Sequence, residues 1–574
     1  MLTRLSVRNF KTLEALDIEL GQSVVFIGPN NSGKTSALQA ISLWQTGLRE
    51  WSGRRSSTRA RERTGVTINR RDLTHTPVRE SRQLWRHQQV NQSTRDRNGA
   101  QDTQHVYIDI LIGGQARTAQ WQCGLEFYHA NPESLYCRPM RAETAEAAGR
   151  MEVPQEAVAE RIAFLPPMSG LVTEEPELQP GRIDVLIGEG QTAQVLRNLC
   201  LRVLTMTHAG WDDIARRIQD MFGAKLGTPR REPARGSVEL TYRERLTNGD
   251  MGPELDIASS GRGMQQTLLL LAHMHANPGA VLLLDEPDAH LEILRQREIY
   301  NMLTDAAETS GSQIIAASHS EVVLNEAADR DMVIAFVGTP HRLVGGGAQV
   351  RKALAEIGFD QYYLAMTRPG VLYLEGSTDL AVLRAFAVLL DHPAQAALQE
   401  PFLKTVGNQP REAERHYFAL REARPALRAF AVFDRPAGEA PHDLAIPAHW
   451  WRRREIENYL SSRTVLLRFA AGADTDDLLA RAESARRAAA MEQALAQVEQ
   501  ALTTLGRDPW GDDVKPSDDV LPVVFRLFYA ELGLKNEMNK NDYHELVRYL
   551  PAGNVDPEVI GVLDRIHEIL GASP

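Results

Sequence analysis

Gly28-Pro29-Asn30-Asn31-Ser32-Gly33-Lys34-Thr35 follows the apolar run Val24-Val25-Phe26-Ile27 and precedes Ser36-Ala37-Leu38-Gln39-Ala40-Ile41, a helical start. A GxxxxGKT pattern between strand and helix gathers backbone N–H groups around phosphate oxygens at the helix N-terminus, where the dipole also favours negative charge. Lys34 then reaches the β- and γ-phosphates of a nucleotide, and the Thr35 hydroxyl ligates Mg²⁺. Gly28, Asn30, Asn31, Ser32, Gly33, Lys34, Thr35 and Ser36 are therefore the candidate nucleotide-binding residues, with ATP the expected ligand.

A second piece, Val281-Leu282-Leu283-Leu284-Asp285-Glu286-Pro287, is an apolar strand that ends in two acids. Asp285 is placed to complete a metal shell and Glu286 to orient or deprotonate an attacking water; a core strand ending in a solvated acidic turn would read the same way by itself. Ser318-His319-Ser320 follows a further strand, Gln313 to Ala317, with His319 either a structural strand-end residue or a γ-phosphate sensor. A third acidic group comes later. Glu375 and Asp379 follow the strand Val371 to Leu374, and Asp434 ends the strand Ala429 to Phe433. Hard carboxylate oxygens at strand ends suit Mg²⁺ or Mn²⁺, and a pair of such ions supports phosphodiester cleavage.

The chain that must position these groups has 574 residues, which is too long for one core and implies two to four domains. With 43% apolar and 24% charged residues it is of ordinary globular composition. Its start alternates apolar and polar residues, so neither signal nor transit peptide is expected. The run TLLLLAHMHANPGAVLLL is interrupted by His273, His275, Asn277 and Pro278, so no membrane helix is expected. Cys123, Cys137 and Cys200 lack CxxC spacing, which fits a reducing, cytoplasmic setting and argues against a zinc site. The net charge of −11 does not advertise nucleic-acid binding, yet Arg49 to Arg97 holds thirteen arginines and no lysine, interleaved with Trp51 and Trp85. That segment reads equally as a phosphate-lining strip or as a solvated insertion. Residues 50 to 250 read as short strands and polar loops, with a rigid loop at Leu165 to Leu171. Gly345-Gly346-Gly347 marks a loose connection, and Thr475 to Leu505 is an Ala-rich helix or helix pair. There is no internal repeat.

Upstream of the acidic strand lies Ser259-Ser260-Gly261-Arg262-Gly263-Met264-Gln265-Gln266, which resembles the signature loop of ABC ATPases although it departs from LSGGQ. The order of phosphate loop, signature, Asp-Glu-Pro strand and switch histidine is similar to that family. RLSVRNFKTLEALDIEL and DEPDAHLE look like its OLD, RecF and SMC branch. The resemblance implies that Ser260 and Gly261 touch the γ-phosphate held by Lys34 of another subunit. Two chains would then pair head to head in a homodimer with two shared sites, or build a higher oligomer. It also implies a metal-contacting glutamine loop after the first helix, with Gln83, Gln88, Gln89 and Gln92 as candidates. The long coiled-coil arms of SMC proteins are lacking.

The later acidic group resembles the Toprim fold, with Gly407 where that fold usually has a glycine. Its DxD pair is replaced by Asp434-Arg435-Pro436. Arg454-Glu455-Ile456-Glu457-Asn458-Tyr459-Leu460 is similar to the IENYL element of the Toprim-like nuclease subunit of PARIS anti-phage systems, which implies Glu457 as the fourth ligand beside Glu375, Asp379 and Asp434. The expected fold is α/β. An ABC-type ATPase domain (1–350, insertion about 50–240) precedes a Toprim-like domain (366–465) and C-terminal helices (466–574). The implied function is an ATP-gated, Mg²⁺-dependent endonuclease of anti-phage defence, related to OLD nucleases, acting on DNA or tRNA under a phage-encoded trigger. The alternatives are a DNA repair or recombination ATPase-nuclease, and an ATP-dependent sensor whose Toprim domain has lost catalysis.

Overall fold

The strands Ser23–Ile27, Val281–Asp285 and Gln313–Ser318 are buried at every position, as continuous apolar runs must be when both faces of a parallel sheet are covered. The computed structural model describes residues 1–571 except 56–64, 96–100, 117–118, 142–148, 247–248, 338, 344–357, 437, 439–443 and 473–477. Gly345-Gly346-Gly347, the start of the Ala-rich segment and part of the Arg49 to Arg97 segment lie outside the described residues. The chain divides into two compact units, Met1–Gly347 and Ala348–Pro574.

In the first unit the parallel strands run in the order Ile162–Leu165, Val281–Asp285, Gln313–Ser318, Ser23–Ile27, Met332–Ala335, with His341–Arg342 antiparallel at the edge. A second, antiparallel sheet is ordered Leu13–Glu19, Leu2–Phe10, Ile108–Gln115, Gln120–Asn131, Ser134–Pro139, Val66–Asn69. Between the two sheets runs helix Lys34–Arg55, whose Leu38, Ile41 and Trp44 share one core with Val7, Ile110 and Phe127 and with Phe26, Leu283 and Ile315. The approach is close: a Cβ on Gly47 would stand 2.8 Å from the Phe127 ring and 2.9 Å from Cys137 Sγ. Helices Pro180–Gly188, Leu196–Met206, His208–Phe222, Arg262–Ala276 and Ile293–Ser310 cover the other face of the parallel sheet.

Two sequence expectations change here. The stretch expected to hold only strands and polar loops also contributes three of those helices, and its strand Ile162–Leu165 joins the core sheet. Trp51 and Trp85 are buried core residues, and Arg54, Arg70, Arg82 and Arg86 pair with Glu50, Glu133, Glu80 and Glu14. Among the described residues, these four arginines of the segment are thus held in rim ion pairs, each worth about 0–1 kcal/mol, and its two tryptophans are packed in the core.

The second unit is built on a four-stranded parallel sheet ordered Phe402–Thr405, Gly370–Leu374, Arg428–Phe433, Ala448–Trp450. Strand alternation sends Leu372, Leu374, Phe430 and Val432 to one face and Val371, Tyr373, Ala429 and Phe433 to the other. On the first face they join one core with helices Arg463–Ala471, Leu478–Thr504, Leu521–Leu532 and Pro557–Leu570. The C-terminal helices are thereby part of the sheet's own core. No helix among the described residues is long and apolar enough to cross a membrane.

Candidate functional site

The parallel strands of the first unit deliver their C-terminal ends side by side, since Ser23–Ile27 is in register with Gln313–Ser318 and that strand with Val281–Asp285. The loop from Gly28 turns sharply, with Asn31 at φ 63° and Gly33 at φ 101°. A Cβ on Gly28 would lie 2.8 Å from the Phe336 carbonyl, so the first position admits only glycine without movement. Lys34 is buried, and its Nζ donates to the carbonyls of Gly28 at 2.7 Å and Pro29 at 2.8 Å. Burial lowers its pKa, while Glu286, Asp285 and Asp288 oppose that shift. Thr35 Oγ1 donates to Asp285 Oδ1 at 3.0 Å, and burial pushes Asp285 up to about 6 against this hydrogen bond. The Ser36 hydroxyl lies 3.2 Å from that of Thr12, and Ser32 Oγ is buried with no partner. Asn30 and Asn31 stand on the outside of the loop turn, which leaves the loop's backbone N–H groups as its main phosphate donors.

Glu286 leaves its strand at φ 50°, a left-handed conformation costing about 1–3 kcal/mol in a residue with a side chain. Its Oε1 faces His319 Nδ1 at 3.7 Å, so the two residues assigned to water and γ-phosphate are neighbours across adjacent strand ends. Asp288 was missed from sequence. It is buried with one carboxylate oxygen unpartnered, and the only trace of it was its place within DEPDAH.

Ser260 and Gly261 are not joined to this loop by any hydrogen bond among the described residues. Ser260 Oγ donates to the Ile257 carbonyl at 2.7 Å, and Gln265 Nε2 donates to the carbonyls of Ile257, Ala258 and Ser260. The space that a Cβ on Gly261 would enter is empty. Of the four candidates for a metal-contacting glutamine, Gln83 is engaged within its own turn. Gln83 Oε1 is occupied by the N–H groups of Arg79 and Glu80. The loop leaving the strand paired with Val281–Asp285 runs from Pro166 to Gln179, the residue that precedes helix Pro180–Gly188.

In the second unit, strands Gly370–Leu374 and Arg428–Phe433 are neighbours with Tyr373 opposite Ala431, so Glu375 and Asp434 emerge at adjacent strand ends. Gly407, at φ 55°, donates its N–H to the Glu375 carbonyl at 3.2 Å. Asp379 opens helix Ser377–Leu389 and accepts from the Gly376 N–H at 3.1 Å. Burial pushes Asp434 up to about 9, reinforced by Glu375, Asp379, Glu455 and Glu457. Burial likewise pushes Glu457 up to about 8, with Glu455 and Asp379 adding to it, and Asp379 up to about 6, with Glu375 adding to it. The structure therefore brings Glu375, Asp379, Asp434 and Glu457 into one electrostatic cluster and adds Glu455 to it.

Glu455 accepts from the N–H of Ser517 at 2.6 Å and its hydroxyl at 2.9 Å, with Lys515 Nζ at 3.8 Å. Neither Glu455 nor Lys515 was assigned from sequence. Glu455 sits two residues from the expected Glu457, whereas Lys515 lies far downstream, just before helix Pro516–Asp519, with no local signal. Arg435, inside the altered DxD, turns away, with Nη1 donating to the Arg452 carbonyl at 2.7 Å and Nη2 to the Asp512 carbonyl at 2.9 Å.

The cluster fits a divalent cation in its chemistry. The donors are all hard oxygens, Glu375 Oε2 is buried without a partner, and burial together with the neighbouring like charges raises the carboxylates' pKa values. Among the described residues no three His, Cys, Asp or Glu side chains already stand as a metal cage, so a cation would have to gather these carboxylates by side-chain rotation.

Two family models match the first unit: "AAA ATPase domain" over residues 1–51 and "AAA domain, putative AbiEii toxin, Type IV TA system" over residues 197–325. They identify an AAA/ABC-type ATPase domain there. A 43-residue stretch is 51% identical to the OLD nuclease of Thermus scotoductus (strain ATCC 700910 / SA-01), covering 8% of this chain and 8% of that protein. Among solved structures, the chain is similar to an SMC head bound to the C-winged helix domain of ScpA (TM-score 0.35, 15% identity, 60% of this chain and 98% of that one). It is also similar to the SMC head domain from Thermotoga maritima (TM-score 0.31, 13% identity, 60% and 99%).

Proposed function

We propose that this chain is an ATP-gated, Mg²⁺-dependent nuclease in which the ATPase unit controls a Toprim-like centre at Glu375 and Asp434. One observation carries the nuclease half: burial raises Asp434 to about 9, reinforced by four other carboxylates, Glu375, Asp379, Glu455 and Glu457. So concentrated a negative charge is costly unless it serves to bind cations.

In the ATPase half, Lys34 exchanges its bonds to the Gly28 and Pro29 carbonyls for phosphate oxygens, and the loop N–H groups orient the nucleotide. Glu286 accepts a proton from the attacking water or orients it, while the adjacent His319 reads the γ-phosphate. Ser260 Oγ donates to the Ile257 carbonyl and makes no hydrogen bond to the loop among the described residues, which fits a head-to-head homodimer in which one chain's Ser260 meets the other's nucleotide. In the second unit, Glu375, Asp379, Asp434 and Glu457 would hold Mg²⁺ or Mn²⁺, with Glu455 behind them. The ion would supply Lewis-acid activation of a phosphodiester. Lys515 adds a positive charge beside Glu455, suited to a scissile phosphate, and the charge of Lys540 also reaches Glu455 and Glu457. DNA and tRNA are both candidate substrates, and the PARIS-like IENYL element supports a role in anti-phage defence with a phage-encoded trigger.

A second reading is favoured by Pro436 in the DxD position and by carboxylates not yet gathered as a cage: an ATP-dependent sensor with a silent Toprim domain. Cleavage assays on duplex DNA, single strands and tRNA separate the two, with wild type, Glu286→Gln and Glu375→Ala compared with and without ATP. Mg²⁺-dependent cleavage lost in Glu375→Ala supports the nuclease; cleavage by none of the three proteins supports the sensor.

A further inference from the structure

The first unit contains a cavity of about 600 Å³, lined by none of the residues of the nucleotide site and within the size range of small-molecule sites. It is lined by the second half of helix Lys34–Arg55, the edge strand Ile162–Leu165, helix Pro180–Gly188 and the C-terminal end of helix Arg262–Ala276. Two imidazoles face it. His273 is 2% exposed, and neither of its ring nitrogens meets a partner in hydrogen-bond geometry, although the Ala163 carbonyl is near; His75 leaves Nδ1 unpartnered. Burial lowers both to about 4, so near pH 7 each ring is neutral and offers one N–H and one lone pair.

The remaining walls narrow the ligand chemistry. Trp51 and Phe164 supply flat apolar surface, with the His75 ring 5.4 Å from that of Phe164 and edge-on to it. The two acids at the cavity are already paired, Asp184 with Arg202 at 3.3 Å and Glu160 with the N-terminal ammonium at 2.6 Å. Arg49 is exposed and has no ion pair among the described residues, and its charge reaches His75. The uncompensated charge at this cavity is therefore positive.

We propose that this cavity binds a planar heteroaromatic anion of mononucleotide size. Its ring lies against Trp51 and Phe164, its donor–acceptor edge meets His75 and His273, and its acidic group meets Arg49. Neutral imidazoles match such an edge because each can donate at one nitrogen and accept at the other. The two helices that end at the cavity begin at Lys34 and just after Gly261, so occupancy alters ATP turnover. That consequence rests on the ATPase reading, whereas binding itself does not.

The test is isothermal titration of the full chain with AMP, GMP, CMP and UMP in turn, using wild type, Lys34→Ala, Arg49→Glu and His273→Gln. At least one purine monophosphate is expected to bind at one site per chain in Lys34→Ala, and about tenfold more weakly, near 1.4 kcal/mol, when Arg49→Glu or His273→Gln is added. Arg49 is exposed, so Arg49→Glu decides the matter even if His273→Gln fails to fold. Binding of none of the four, or binding that Lys34→Ala removes and Arg49→Glu leaves intact, overturns the proposal. Failure of the ATPase reading shows separately, as ATP turnover that survives in Lys34→Ala.

Discussion

Thr35 Oγ1 donates a hydrogen bond to Asp285 Oδ1 at 3.0 Å, joining residues 250 positions apart in sequence. The contact ties the first helical residues after the phosphate loop to the end of the acidic strand, which lies one strand beyond the neighbour of Ser23–Ile27 in the sheet. Thr35→Val should leave the fold intact and reduce ATP hydrolysis by about 10²-fold, the usual effect of removing one preorganised polar group at the reacting centre. Turnover assays with far-ultraviolet circular dichroism as the folding control check this; unchanged turnover would remove Thr35 and Asp285 from the site.

Glu286→Gln should slow hydrolysis by about 10²–10⁴-fold, as expected for loss of a general base, while ATP binding persists. If chains pair across the nucleotide, this variant should accumulate as an ATP-dependent dimer by size-exclusion chromatography with light scattering. Gly261→Arg, whose side chain would enter the open space at that position, should prevent that dimer.

The phosphate loop and the acidic strands were legible because each joins a continuous apolar strand to a local motif, and both signals lie within ten residues. The same holds for Glu375 and Asp434. Other features are decided by distant contacts. Trp51 and Trp85 look like stacking residues beside arginines, yet the antiparallel sheet buries them. Lys515 meets Glu455 only because the C-terminal helices share the core of the four-stranded sheet. Gln83 looked free to reach a metal, but it caps its own turn.

The carboxylate cluster makes stability depend on pH in a definite direction. Asp434 and Glu457 titrate near 9 and 8 when folded, well above their ordinary carboxylate values of 3.8 and 4.5. The folded chain therefore binds protons more tightly than the unfolded one, and its stability falls as pH rises through the ordinary carboxylate range toward 9. Metal-free protein should melt at a lower temperature at pH 8.5 than at pH 6. Mg²⁺ should raise the melting temperature more at the higher pH, and Asp434→Asn should stabilise the metal-free form by about 2–4 °C per kcal/mol relieved. Calorimetry with EDTA or Mg²⁺ at both pH values measures this, and a metal-free melting temperature that rises with pH would contradict it.

Gly47→Ala introduces a methyl group 2.8 Å from the Phe127 ring and 2.9 Å from Cys137 Sγ, neither at the end of a flexible chain. Overpacking of this kind costs about 1–3 kcal/mol. Denaturant titration should show that loss, whereas Gly53→Ala, which meets nothing within 4 Å, should show none.

Lys515→Met should reduce polynucleotide cleavage by about 10²-fold through loss of one charge stabiliser and leave ATP turnover unchanged. Equal loss of both activities would mean that Lys515 acts by holding the fold.

The most direct measurement follows ATP hydrolysis and polynucleotide cleavage side by side in Glu286→Gln and Glu375→Gln. The expected result is a crossed pattern: Glu375→Gln hydrolyses ATP at the wild-type rate but no longer cuts, and Glu286→Gln fails to hydrolyse ATP while Mg²⁺-dependent cutting shifts with nucleotide state. Cutting by Glu375→Gln at the wild-type rate would contradict a metal-dependent nuclease at Glu375 and Asp434.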